Sequence, residues 1–172
     1  MPEKTDEIKQ YLIEWAINYC KHKDIIAKAI KNIEKLSNNH GDNNSPDVVI
    51  TLENKNHSIF VLPFIDIFED VIKKIKSSSD KGDKVTLVVV NNNKNLLHLI
   101  KNWNKLVNIS HFFSIIFVNP FSTLDTKWVI FPSTHHSISD ENALETGLKS
   151  LFSSVEEIDE NSFKSKIKAD ME

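Results

Sequence analysis

The chain contains no arginine. All 21 of its basic residues are lysines, set against 24 acids for a formal net charge of −3. Without a planar guanidinium there is no rigid fork for bidentate grip on phosphate, carboxylate or guanine. The negative balance also removes the basic excess that marks most nucleic-acid binders, so composition argues against tight duplex binding while leaving room for local lysine patches. Glycine is scarce, at three residues (Gly41, Gly82 and Gly147), and neither G-x-G-x-x-G nor a Walker loop can be written. H-E-x-x-H and G-x-S-x-G are also absent. A lone cysteine, Cys20, excludes an internal disulfide and a Cys-based zinc site, and its natural setting is a reduced, cytoplasmic one. No apolar run approaches the roughly 20 residues of a membrane helix. The opening MPEKTDEIKQ has no signal-peptide apolar region, and no membrane partner is expected.

What remains is 172 residues, 40% apolar and 26% charged, enough for one domain with its own core. Asparagine is abundant, in runs such as Asn38-Asn39, Asn43-Asn44 and Asn91-Asn92-Asn93. Lysine and asparagine share AT-rich codons, so nucleotide bias suffices as a cause.

Apolar residues recur at helical spacing through residues 1–37: Ile8, Leu12, Trp15 and Tyr19, then Ile25, Ile26, Ala29, Ile30, Ile33 and Leu36. One kinked helix or a helix pair fits, with Asp24 placed to cap the second. Residues 38–46 have turn chemistry and no apolar period, which predicts an exposed loop. The runs DVVITL (47–52) and SIFVL (58–62) flank a polar turn and predict a β-hairpin. Phe64, Ile65, Phe68, Val71, Ile72 and Ile75 mark a helix, and KVTLVVV (84–90) a strand covered on both faces. Another helix (Leu96 to Val107), the strands FFSIIFV (112–118) and KWVIF (127–131), and a last helix capped by Ser139 or Asp140 complete a core over residues 47–155. Residues 156–172 are polar and read as a short helix or a frayed tail. The expected fold is a single three-layer α/β domain, a mixed five-stranded sheet flanked by helices in the order α(α)-β-β-α-β-α-β-β-α.

Pro46-Asp47 opens the first hairpin strand, after a helix and before a third apolar strand and another helix. This order resembles the core of the PD-(D/E)xK nuclease-like fold of archaeal Holliday-junction resolvases and many restriction enzymes. The resemblance implies that Asp47 and an acid on the next strand bind magnesium or manganese, with a lysine two residues later assisting the attacking water. The next strand, however, reads Val61-Leu62-Pro63-Phe64 where the acidic-x-Lys triplet belongs. Glu53-Asn54-Lys55 has the right pattern in the wrong place. Six residues of extended chain put Glu53 about 20 Å from Asp47. Asp66, Glu69 and Asp70 on the following helix are the substitutes on offer, and a solvated face beside Lys73 and Lys74 explains them as well.

A second candidate is His135-His136, which follows a strand and precedes a capped helix, where open sheets place ligands. Adjacent side chains on extended chain point apart, so a metal would need one histidine to join Asp140 or another partner. A polar loop without a ligand explains them equally. Asn91-Asn92-Asn93 holds a similar position and reads also as turn and N-cap chemistry. His22, His40, His57, His98 and His111 are scattered and suit surface or capping roles; Cys20 suits a buried thiol. Two functions follow. One is a non-catalytic nuclease-like domain that binds a protein partner or itself and needs no cofactor. The other is a magnesium- or manganese-dependent nuclease or phosphoesterase with migrated ligands around Asp47.

The doubly covered strands make a direct prediction. Val88→Asp buries an unpaired charge and is expected to cost several kcal/mol in denaturant unfolding; a variant that unfolds like the parent would mean that 84–90 is not an interior strand.

Overall fold

A computed structural model of the protein describes residues 6–36 and 44–172. The expected polar loop falls largely on residues outside these, His40 among them. The described chain forms a six-stranded mixed sheet between two helical layers. Helix α1 (Asp6–Asp24) leads into β1 (Asn32–Lys35), β2 (Val48–Thr51) and β3 (Asn56–Val61). Then come α2 (Phe68–Ser79), β4 (Lys84–Val90), α3 (Asn93–Lys101), α4 (Trp103–Val107), β5 (Phe113–Val118) and β6 (Lys127–Ile130). Helices α5 (Pro132–Ile138), α6 (Glu141–Ser153) and α7 (Glu160–Asp170) close the chain. Strand order follows the sequence from β1 to β6; β3, β4 and β5 are parallel, while β1 pairs with β2, β2 with β3 and β5 with β6 antiparallel.

Strands β4 and β5 are buried along almost their whole length, as a continuous apolar run requires. Val85, Leu87, Val89, Phe113, Ile115 and Phe117 face the layer that contains α2, α3 and α4. Val88, Val90, Ile116 and Val118 face the layer of α1 and α7. In that second layer Phe163 of α7 is fully buried and stands edge-on to Tyr11 of α1, with ring centroids 5.9 Å apart.

Three expectations are corrected. Residues 25–36 are not a second helix: β1 adds a sixth strand to the five expected. The Asp24 carboxylate accepts from the N–H groups of Ala29 and Ile30 (2.8 and 3.0 Å), Lys28 takes a left-handed φ of 51°, and the chain reverses. Ile25 and Ile26, a third of the apparent helical period, are 63% and 93% exposed. Second, residues 132–138 are helical rather than loop, with Pro132 in the first turn, where its fixed φ suits a helix start. Third, the stretch after β3 delays α2 until Phe68, because Asn95 holds it in place. The Asn95 amide donates to the carbonyls of Pro63 and Val90 (both 2.9 Å) and its oxygen accepts from Ile65 N–H (3.0 Å). Of the two readings of residues 156–172, the helical one holds.

At the carboxyl end of β4 and β5 the crevice that open sheets offer to ligands is filled by the chain itself. Asn91 is fully buried; its amide donates to Val155 O (2.9 Å), with longer contacts to Phe152 O and Glu156 O, and its oxygen accepts from the Trp128 indole N–H (2.8 Å). Asn119 donates to Glu156 O at 2.9 Å. Asn91→Ala strands the Val155 carbonyl and the Trp128 N–H, and should lower stability by about 2–4 kcal/mol. Asn93→Ala, at an exposed position, should fall within about 0.5 kcal/mol of the parent. Equal denaturation midpoints for the two variants would contradict this lacing.

Candidate functional site

Asp47 immediately precedes β2 and is 6% exposed. Its carboxylate is engaged on both oxygens: Oδ1 lies 2.8 Å from the Lys9 ammonium of α1, and Oδ2 accepts from Val61 N–H at 2.7 Å. The facing end of β3 carries Val61 and Leu62, which have no ligating atom. Glu53 and Lys55 lie in the exposed turn beyond the other end of β2, as the extended-chain distance requires. Asp66 is exposed ahead of α2, and Glu69 on α2 pairs with Lys105 of α4, which draws its carboxyl below the usual range. The core side of α2 packs on the sheet face opposite α1.

The histidine pair is also dispersed. His135 Nδ1 accepts from Phe131 N–H (3.1 Å), whereas His136 Nδ1 accepts from the Trp103 indole at 3.3 Å. Asp140 caps α6, accepting from Asn142 N–H at 3.0 Å. Among the described residues no three His, Cys, Asp or Glu side chains gather into a group able to hold a metal ion. The donor set around Asp47 does not fit a divalent cation: one carboxylate, already neutralised by an ammonium, replaces the several oxygens such a cation takes.

A different place on the same α1 face draws chemistry together. Between the carboxyl half of α1, the turn after it and the faces of β2 to β5 lies a cavity of about 230 Å³. Its walls are apolar, with Ala16, Ile30, Ile50, Ile59, Val88 and Ile116 among them. Across its floor runs a polar row. His57 Nε2 lies 2.8 Å from Thr86 Oγ1, and Thr86 Oγ1 lies 3.0 Å from Ser114 Oγ. The alternation of β3, β4 and β5 places all three on the α1 face, and Thr86 and Ser114 are register partners. Tyr19, Cys20, Lys23 and Lys84 also line the cavity.

Lysines outnumber acids there, Lys23 and Lys84 against Asp24. Burial, then the ammonium groups of Lys84, Lys23 and Lys55, lowers the His57 pKa to about 3, so the ring is neutral at physiological pH. Burial also lowers the Lys84 pKa, and Lys23 reinforces the shift. Burial pushes the Cys20 thiol up against the opposing pull of Lys84 and Lys23. His57, for which the sequence suggests a surface or capping role, is buried. The signal is that His57, Thr86 and Ser114 are polar positions on one face of three neighbouring strands, visible only once the strands are aligned.

No family model, curated protein or solved structure matches the chain. Among the described residues no helix is long and apolar enough to cross a membrane.

The buried histidine fixes a pH dependence. The unfolded chain protonates His57 below pH 6.5 while the folded chain resists to about 3, so stability falls as pH drops through that window. Between pH 7.5 and pH 5 the parent should lose about 2 kcal/mol more than His57→Gln. Parallel loss in urea titrations at the two pH values would show that His57 is not held neutral.

Proposed function

We propose that the chain is a non-catalytic domain of nuclease-like architecture that acts by binding a protein partner. The observation that carries this reading is the Asp47 carboxylate, whose oxygens are committed to Lys9 and Val61. Metal-assisted hydrolysis needs convergent acidic ligands and an activated water. Here an ammonium stands where a cation would have to be. Architecture supports the lineage: helix α1, then after β1 a strand preceded by Pro46-Asp47, a hairpin to β3, helix α2, and β4 parallel to β3. The exposed Ile25-Ile26 pair in the turn after α1 supports a binding role, since clustered exposed apolar residues mark contact surfaces. The outer strand β1 is short and carries Glu34 and Lys35, features that discourage strand addition.

Purified protein with magnesium or manganese should not cleave single-stranded, duplex or branched DNA, and manganese should not raise its melting midpoint. Lys9→Ala leaves Asp47 buried and unpaired, and should cost about 2–4 kcal/mol; Asp47→Asn keeps an acceptor for Val61 N–H and should cost less. Metal-dependent cleavage that disappears in Asp47→Asn would overturn the reading in favour of a nuclease with migrated ligands.

A further inference from the structure

The cavity beside His57 is independent of Asp47 and lies toward the opposite end of β2, where Leu52 lines it. Its polar row has a definite proton inventory. A neutral imidazole and two hydroxyls bring three mobile protons. Their two mutual hydrogen bonds use two. When the row runs in one direction, either way, one donor is left at one end and one acceptor at the other. Buried polar networks cost stability when incompletely used. Methyl groups at Thr86 and Ser114 would pack this face of the sheet more simply. The row therefore suits a partner that brings an acceptor of its own.

Charge identifies the sign of that partner. Lys23 and Lys84 line the cavity, and among the described residues no carboxylate lies within 4.0 Å of either ammonium. The lining acid, Asp24, accepts from the N–H groups of Ala29 and Ile30, so the cavity has two ammonium groups against one carboxylate. Low-dielectric walls strengthen the field inside. Size sets the rest. A cavity of about 150 Å³ accepts benzene, whereas drug-sized ligands need about 300–1,000 Å³. The 230 Å³ here fits one ring with a short acidic arm.

We propose that this cavity binds a small aromatic monocarboxylate, its ring against Ile59, Val88 and Ile116 and its carboxylate on Lys84 and Lys23, with the polar row supplying the remaining hydrogen bond. Lys84 is the anchor because it is half-buried at the start of β4, whereas Lys23 is exposed on the last turn of α1.

Titration calorimetry at pH 7.5 with phenylacetate, phenylacetamide, acetate and adenosine monophosphate tests the assignment on the full chain. Phenylacetate should bind saturably at one site. Its neutral amide, which lacks the charge, and acetate, which lacks the ring, should each bind at least about tenfold more weakly, a difference of about 1.4 kcal/mol. Lys84→Gln should weaken phenylacetate by a similar factor. Thr86→Val, which keeps the branched shape and removes the central hydroxyl, should weaken it too, and circular dichroism melting identifies the folded variants to be compared. Lys149→Gln, on α6, should bind as the parent does. Absence of saturable phenylacetate binding at millimolar ligand would overturn the proposal. Equal affinity for acid and amide, tighter binding of adenosine monophosphate, or indifference to both folded cavity variants would do the same.

Discussion

Strands β4 and β5 have no side that can face water, and this constraint organises the rest of the domain. Each face needs an apolar cover. The chain supplies α2, α3 and α4 on one side and the pair α1 and α7 on the other. Antiparallel strands β1, β2 and β6 then flank the parallel centre, where partial exposure is tolerable. Burying both faces also buries the ends of the strands. The backbone carbonyl of buried Val155, crossing the carboxyl end, is met by Asn91, and that of Glu156 beside it by Asn119.

The cover over the α1 face is made by two helices, and the two sites described above lie near the two ends of α1. Near its start, Lys9 reaches Asp47 and closes that position with an ion pair. Near its end, Tyr19, Cys20 and Lys23 leave space over β3, β4 and β5. One helix thus seals Asp47 near its start and leaves a cavity open near its end. The two environments differ in kind: a carboxylate paired with one ammonium in one, two ammonium groups against one carboxylate around a neutral imidazole in the other.

The sequence showed most where burial is complete. The strand at 84–90 was legible to the residue, because seven nearly apolar positions admit few other readings. The hairpin followed from turn chemistry, and of the two caps on offer, Ser139 and Asp140, the helix takes Asp140. Legibility failed where tertiary partners overrule local pattern. Residues 25–36 have a helical period, yet the outer edge of β2 takes residues 32–35 as a strand and leaves Ile25 and Ile26 outside. Pro132 looked like a loop residue, although it opens a helix. Asp47 was found from its dipeptide, but Lys9 lies 38 positions away and nothing local announces their meeting. The His57 row spans three strands, so no window of sequence contains it.

The layer of α1 and α7 has a consequence for how the molecule is made. Phe163 follows Ile17 by 146 positions, yet both belong to the same apolar cluster. At roughly 5–20 residues per second of synthesis, they emerge roughly 7–30 s apart. Until Phe163 emerges, roughly 2–8 s after Phe121, that face has α1 alone as its roof, and Tyr11 and Phe121 lack the ring that stands edge-on to both. The last surface of this domain to close is thus the one against which its first helix packs, which makes the nascent chain, rather than the finished one, the form that exposes most apolar surface to the cell.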